Sequence, residues 1–392
     1  MNLTQAQAEM LARDGLAALR SGNARLARTL FDRIVANPMG KPLPWFPLAQ
    51  ACRMLGDDAG ERTALRHMLD AEPRHLAALA MMADLEDRSG DRRAAVAFFR
   101  TALAQAALAD VDVPAALFPL LRRGEAVLAE ANRRFSAHLD NSIRDGGAVK
   151  GDGGARLRQS VDLLLGRTEL YLQQPSMFYF PGLPQRAFYE RNMFDWAPSI
   201  EAATGAIQTE LMTVLAQDSN FPPYVEGAEG RPRPNNALFG DPSWGAFHLI
   251  RNGVVIEGNA TRCPATLAAL ETVPAPVIAR RSPMALFSLL RPGTHIQPHH
   301  GLLNTRLICH LPLIVPPDCA LRVGSETRSW RTGELTIFDD SFEHEAWNRS
   351  SETRILLLFE IWRPELTQQE REGLTQIFEA IDVYDDSMMN AD

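Results

Sequence analysis

The sequence predicts two joined architectures: an N-terminal α-helical repeat domain, then a strand-rich domain of sandwich or jelly-roll type. Three observations lead there. Gly22, Gly56 and Gly90 recur at intervals of 34 residues in the contexts SGN, LGD and SGD. From about residue 240 the chain breaks into short apolar runs separated by turn signals, at strand-like spacing. Five of the nine histidines stand at 295, 299, 300, 310 and 344, inside the strand-rich part. At 392 residues the chain has room for two to three domains, each with its own core.

A 34-residue period is the length of a helix-turn-helix unit. Seven residues before each glycine stands a small residue (Gly15, Ala49, Ala83) and nine after it a large apolar one (Phe31, Leu65, Phe99). That alternation suits two closely packed antiparallel helices, and Pro38 and Pro73 close the first two units because proline lacks the N–H a helix needs. These features resemble the tetratricopeptide repeat over about residues 3 to 110. The same pattern also fits three amphipathic hairpins without a peptide-binding groove. Helix is expected to continue to 144, which gives a helical repeat domain over 1–144. DGGAVKGDGGA at 145–155, with five glycines in eleven residues, reads as a loop. A helix ARLRQSVDLLLGRTELYL follows, and the connecting segment spans 145–177.

Composition narrows the function. Hydrophobic residues at 46% and charged residues at 22% are those of a folded protein, and a net charge of −8 gives nucleic-acid binding little support. The four cysteines lie far apart with no CxxC spacing, which suits a reducing compartment and offers no zinc-thiolate site. No apolar run reaches the roughly 18 residues of a membrane span, and the N-terminus lacks a signal-peptide core, so a cytoplasmic protein is expected. Lys41 and Lys150 are the only lysines, so positive charge beyond 150 is arginine and Schiff-base chemistry has no lysine there. GxGxxG, GKS/T and GxSxG are absent.

The expected strands are AFHLIRNG, MALFSLLRPG, TRLICHLPLIVPPD, ALRVGSE, ELTIFDD and RILLLFEIW. In a jelly roll an early histidine cluster and a late His344 converge, and imidazole suits iron, zinc, copper or nickel. The short motif is His299-His300-Gly301, with glycine where iron(II) oxygenases carry a carboxylate. This fits either a dead site or a metal held by two histidines with its other positions open.

The run PGTHIQPHHGLLNTRLICHLPLIVP, followed by SETRSWRTGELTIFDDSFEHEAWNRSSETRILLLFEIWRPELT, resembles the aspartyl/asparaginyl β-hydroxylase family of Fe(II)- and 2-oxoglutarate-dependent oxygenases. The similarity covers about 178–370, from FPGLP at 180–184 through RCP at 262–264. It implies a double-stranded β-helix, the cupin-like jelly roll, over 178–370, with Fe(II), 2-oxoglutarate and O2 as cofactors. In that family glycine at the carboxylate position is normal, so the resemblance implies His299 and His344 as catalytic iron ligands. It assigns Arg354 and Ser288 to the distal carboxylate of 2-oxoglutarate and His310 to the neighbourhood of the other. The family's RLRxH pattern reads Arg306-Leu307-Ile308-Cys309-His310 here, so Arg306 is the substitute candidate for the C1 carboxylate. Asp340 is either a partner of a water on the iron or a turn cap, and Glu345 should face away. The reaction implied is hydroxylation of an unactivated carbon, the β-carbon of Asp or Asn in a protein or peptide that the repeats could recruit. A repeat scaffold with a metal- or ligand-binding module, or a hydroxylase of a small molecule or lipid acyl chain, are the alternatives. A C-terminal helix and acidic tail occupy 371–392, with DVYDDSMMNAD expected to be unordered.

Overall fold

The repeated glycine is followed each time by Asn or Asp, and the pair builds one turn. Gly22, Gly56 and Gly90 take φ of +80°, +70° and +85°, the left-handed conformation that ends a helix at little cost only with glycine. The next residue caps the following helix: the side chains of Asn23, Asp57 and Asp91 accept from the backbone N–H of Leu26, Gly60 and Ala94. Three hairpins result, α1 (Gln5–Arg20) with α2 (Ala24–Val35), α3 (Trp45–Met54) with α4 (Asp58–Ala71), and α5 (Leu76–Arg88) with α6 (Arg92–Ala106). The small-against-large rule holds at contact distance, since a Cβ at Gly15 would lie 2.6 Å from the Phe31 ring.

This computed structural model describes residues 3–38, 42–108, 112–145, 152–218, 221–227, 232–233 and 235–389. The chain divides into two compact units, Met1–Arg167 and Thr168–Asp392. The first is completed by α7 (Phe118–Asp145) and α8 (Asp152–Leu164). Two expectations are corrected here. Gly153 and Gly154 belong to the first turn of α8 rather than to a loop, a place where no intrahelical N–H bond has yet formed. The helix expected to run to Leu172 stops at Leu164, because Gly166 turns the chain at φ +65°. Residues 146–151 of the glycine-rich stretch lie outside the described residues.

The second unit carries β1 (Phe188–Tyr189), β2 (Trp244–Arg251), β3 (Val254–Val255), β4 (Ala285–Leu290), β5 (His295–His299), β6 (Arg306–Ile314), β7 (Cys319–Val323), β8 (Glu326–Ser329), β9 (Thr336–Phe338), β10 (His344–Asn348) and β11 (Arg354–Trp362). They form two antiparallel sheets, β1-β9-β6-β11-β4-β2-β3 and β5-β10-β7-β8, arranged as a jelly roll. Alternate residues of the large sheet serve two cores. Trp244, Leu286, Ile308, Leu356 and Leu358 pack inward with Ile296, Leu321 and Ala346 of the small sheet. Phe247, Phe287, Leu307, Leu357 and Phe359 pack outward with Ile200 of α9 (Ala197–Ala202), Leu211 of α10 (Thr204–Gln217) and Leu270. Burial on both faces explains why RILLLFEIW reads as a continuous apolar run. Short α11 (Glu257–Ala260) and α12 (Pro264–Leu270) follow β3, and α13 (Gln368–Met389) ends the fold.

The tail expectation is also corrected, since most of DVYDDSMMNAD is helical. Leu374 and Phe378 bury with Trp362 and Leu366, and Asp382 pairs with Arg281 at 2.6 Å, so helix continues through Met389. No helix among the described residues is long and apolar enough to cross a membrane.

Candidate active site

His344 opens β10 directly opposite His299, the last residue of β5, and the two rings lie 4.1 Å apart between centroids. A regular strand would not do this. His295 and His299 share strand parity, yet His295 faces outward to Glu345 at 2.6 Å while His299 meets His344. The reason is a β-bulge: His299 pairs with His344 and Ile296 with Ala346, so β5 spends one more residue than β10 over the same span. One extra residue reverses the side-chain alternation and re-aims His299. Glu345 lies on the outer face as expected, held by Arg322 and His295.

Both imidazoles are held in the same way. The Nδ1–H of His299 donates to the Gln297 carbonyl at 2.8 Å, and that of His344 donates to the Phe342 carbonyl at 3.0 Å. With Nδ1 as donor, each Nε2 keeps its lone pair, the form a metal requires. Burial drives His344 down to about 3, assisted by repulsion from His299 and His300, and lowers His299 as well. Both rings are therefore neutral near pH 7.

The glycine of His299-His300-Gly301 has a structural cause. A Cβ built at Gly301 would collide with the Asp340 carboxyl, and the Gly301 N–H donates to the Asp340 carbonyl at 2.6 Å. Asp340 thus occupies the space that a side chain at 301 would take. Its carboxyl is buried, Oδ1 has no hydrogen-bond partner among the described residues, and burial raises it to about 7 against the pull of Arg306. Among the described residues no group of three or more His, Cys, Asp or Glu is placed to hold a metal, so a metal here would have two imidazoles as its protein ligands. The paired lone pairs, the filled Gly301 cradle and the orphaned Asp340 oxygen fit that arrangement.

Behind the histidines the inward face of the large sheet holds Arg354, 2% exposed. Its Nη1 lies 3.4 Å from the Ser288 carbonyl and 3.5 Å from Ser288 Oγ, the Trp330 ring packs 5.1 Å from the guanidinium, and Nε has no partner among the described residues. Among the described residues no carboxylate pairs with it, and burial pushes it down to about 9. Trp244 Nε1–H donates to Ser288 Oγ at 3.4 Å. His310 lies 5.7 Å from Trp330 between ring centroids, with Nδ1 unpartnered and its pKa held well below the ordinary value by burial. A buried cation beside unpartnered donors is a site prepared for an anion.

Arg306 is differently engaged. It pairs with Glu360 and lies 3.7 Å from Asp340, while Ile308, the next inward residue of β6, joins the apolar wall. The structure thus gathers His299, His344, Ser288, His310 and Arg354 on the inward faces, and gives Arg306 a partner that sequence reasoning missed. Glu360 was visible as the one acid inside RILLLFEIW. The buried Asp339–Arg363 pair at 2.7 Å, joined by Tyr189 and Gln173, left no such signal because its members are far apart in sequence. Asn304 brackets Phe180, donating to its carbonyl and accepting from its N–H, and so anchors FPGLP beside this network.

Residues 201–364 match the family described as Aspartyl/Asparaginyl beta-hydroxylase. The matched residues lie within the C-terminal unit. Over 206 residues the chain is 41% identical to the mouse aspartyl/asparaginyl beta-hydroxylase, a match covering 51% of this chain and 28% of that protein. It is 35% identical over 179 residues to the ornithine lipid ester-linked acyl 2-hydroxylase of Rhizobium tropici, covering 45% of this chain and 60% of that one. This chain thus spans little more than a quarter of the first relative and under two thirds of the second. The helical repeats have a solved neighbour in the Sgt2 TPR domain from Aspergillus fumigatus, at 17% identity, a TM-score of 0.28 and coverage of 34% of this chain and 85% of that one.

Proposed function

We propose that this chain is an Fe(II)- and 2-oxoglutarate-dependent dioxygenase that hydroxylates the β-carbon of an Asp or Asn residue in a protein or peptide. The observation that carries the reading is the combination of two facing neutral imidazoles with a buried arginine that has no counter-ion among the described residues. His299 and His344 would hold the metal through Nε2, and Arg354 with Ser288 would take the distal carboxylate of 2-oxoglutarate. Fe(II) bound there with 2-oxoglutarate would supply the chemistry that replaces C–H by C–OH using O2.

The chain's own residues do the rest. Main-chain carbonyls of Gln297 and Phe342 fix the tautomer of both ligands. Asp340 offers an unpartnered oxygen beside Gly301, able to accept from a water in the site. Trp244, Trp330 and Phe338 line the face around the polar groups and exclude bulk water. Recruitment of a polypeptide by the helical repeats belongs to this reading, as does a cytoplasmic setting, which the four unpaired, buried cysteines suit.

The test needs no substrate. Fe(II) and 2-oxoglutarate added without oxygen should produce a visible metal-to-2-oxoglutarate charge-transfer band, lost in His299→Ala and His344→Ala and weakened in Arg354→Ala. A folded wild-type protein with metal supplied and no band would sink the reading. The Rhizobium relative supports a second one, hydroxylation of a lipid acyl chain. Turnover on an acylated lipid with none on peptides would decide for it.

A further inference from the structure

Beside the metal and cosubstrate positions the inward face carries a second polar cluster, which shares Asp340 with the metal site. Arg306, Asp340 and Glu360 meet there, from the start of β6, the turn before β10 and the end of β11. Glu360 is 1% exposed and Asp340 6%. The position between Arg306 and His310 on this face is apolar Ile308. The cluster touches the histidine pair through Asp340, which fills the space over Gly301, two residues past His299.

Three buried atoms in it have no partner among the described residues: Arg306 Nε, Glu360 Oε1 and Asp340 Oδ1. Arg306 Nε–H can only donate, and Glu360 Oε1, when ionised, can only accept. A ligand that satisfies the cluster must therefore present an acceptor and donors together. A carboxylate would satisfy Arg306 alone and would lie against Glu360, since the guanidinium is already matched by that acid. An ammonium group would satisfy the acids and face the guanidinium. A primary carboxamide has a carbonyl for Nε–H and an NH2 for the acid oxygens.

We propose that Arg306, Glu360 and Asp340 select a neutral carboxamide on the substrate and reject a carboxylate, which makes this enzyme one for Asn and not Asp. The inference rests on the oxygenase reading above and narrows it. Glu360 is the specificity-determining residue, because it cancels the cation that would otherwise hold an acid.

The experiment uses the full chain loaded with Fe(II) and 2-oxoglutarate, with the charge-transfer band verified before oxygen is admitted. Two peptide pools with identical randomised flanks, one with central Asn and one with central Asp, are then scored for gain of one oxygen by mass. The Asn pool should react faster by about a hundredfold or more, the scale on which a site with fixed polar partners rejects a mismatched group. Glu360→Gln, which releases Arg306, should shift that ratio toward Asp, and Arg306→Gln should erase the Asn preference while the band remains. A wild-type enzyme that shows the band and accepts Asp as well as Asn, or accepts neither, overturns the carboxamide assignment and leaves the oxygenase reading standing. Absence of the band overturns both.

Discussion

Arg354→Met should make the protein free of metal and cosubstrate more stable while abolishing 2-oxoglutarate binding. The guanidinium is 2% exposed, has no carboxylate partner among the described residues, and is pushed by burial from its ordinary value to about 9. At about 1.4 kcal/mol per tenfold change, that displacement corresponds to roughly 5 kcal/mol of unfavourable burial, an upper bound. Contacts to Ser288 at 3.4 and 3.5 Å are too long to return much of it, and the Trp330 face returns about 1–2 kcal/mol. Methionine keeps the length and carries no charge, so a net gain of about 1–3 kcal/mol is expected, in line with apolar replacement of buried ions. For a unit of this size that is about 3–9 °C in Tm by scanning calorimetry. Adding 2-oxoglutarate with metal reverses the order. At a hundred times its Kd the cosubstrate should stabilise the wild type by about 2.7 kcal/mol and the variant not at all. A variant that melts more than about 2 °C below wild type without ligands would refute the argument, because it would mean the guanidinium is satisfied in the free protein.

Gly301→Ala should lower both Tm and Fe(II) affinity, since its Cβ collides with the Asp340 carboxyl and displaces the turn that presents His299; unchanged calorimetric values would count against that geometry. The pH dependence has a definite sign on its acid side. Burial holds His248 at about 4 and His344 at about 3 in the fold, so their contribution is complete above the ordinary histidine value of about 6.5 and is lost as pH falls toward those values. Asp340 acts oppositely: raised to about 7, it contributes fully below about 3.9 and loses that contribution as pH rises through 7. Metal-free His248→Asn should therefore lose less Tm than wild type between pH 6.5 and 4, and equal slopes would contradict the assignment. Asp339→Ala removes the shorter of the two acid contacts of buried Arg363 and leaves Glu365 at 3.4 Å, so its urea midpoint should report a loss of about 3 kcal/mol, and a loss under about 1 kcal/mol would show that Glu365, Tyr189 and the main chain suffice.

Several features of this protein are determined by sequence alone because their causes are local. The Gly-Asn and Gly-Asp turns at 22, 56 and 90 need one residue at positive φ and one capping side chain, and both are visible as letters 34 residues apart. The apolar runs at β2, β4, β6 and β11 are legible for the same reason, since a strand buried on both faces must be apolar throughout. His299, His310 and His344 stand out as clustered histidines, while Ser288 and Arg354 could be named only through the family resemblance.

Tertiary structure decided what those residues face. His299 points inward because a bulge reverses the parity that strand alternation assigns to it, and a bulge depends on how two strands pair. The sequence leaves Arg306 as a cation available for a carboxylate, yet Glu360, fifty-four residues on, neutralises it across the β6–β11 pair. The C-terminal segment is helical through Met389 because Phe378 finds Trp362 and Leu366, a contact no local pattern contains. Arg354 is the remaining case: its identity is local, but its strength as an anion site comes from burial without a partner, which only the packed sheets produce.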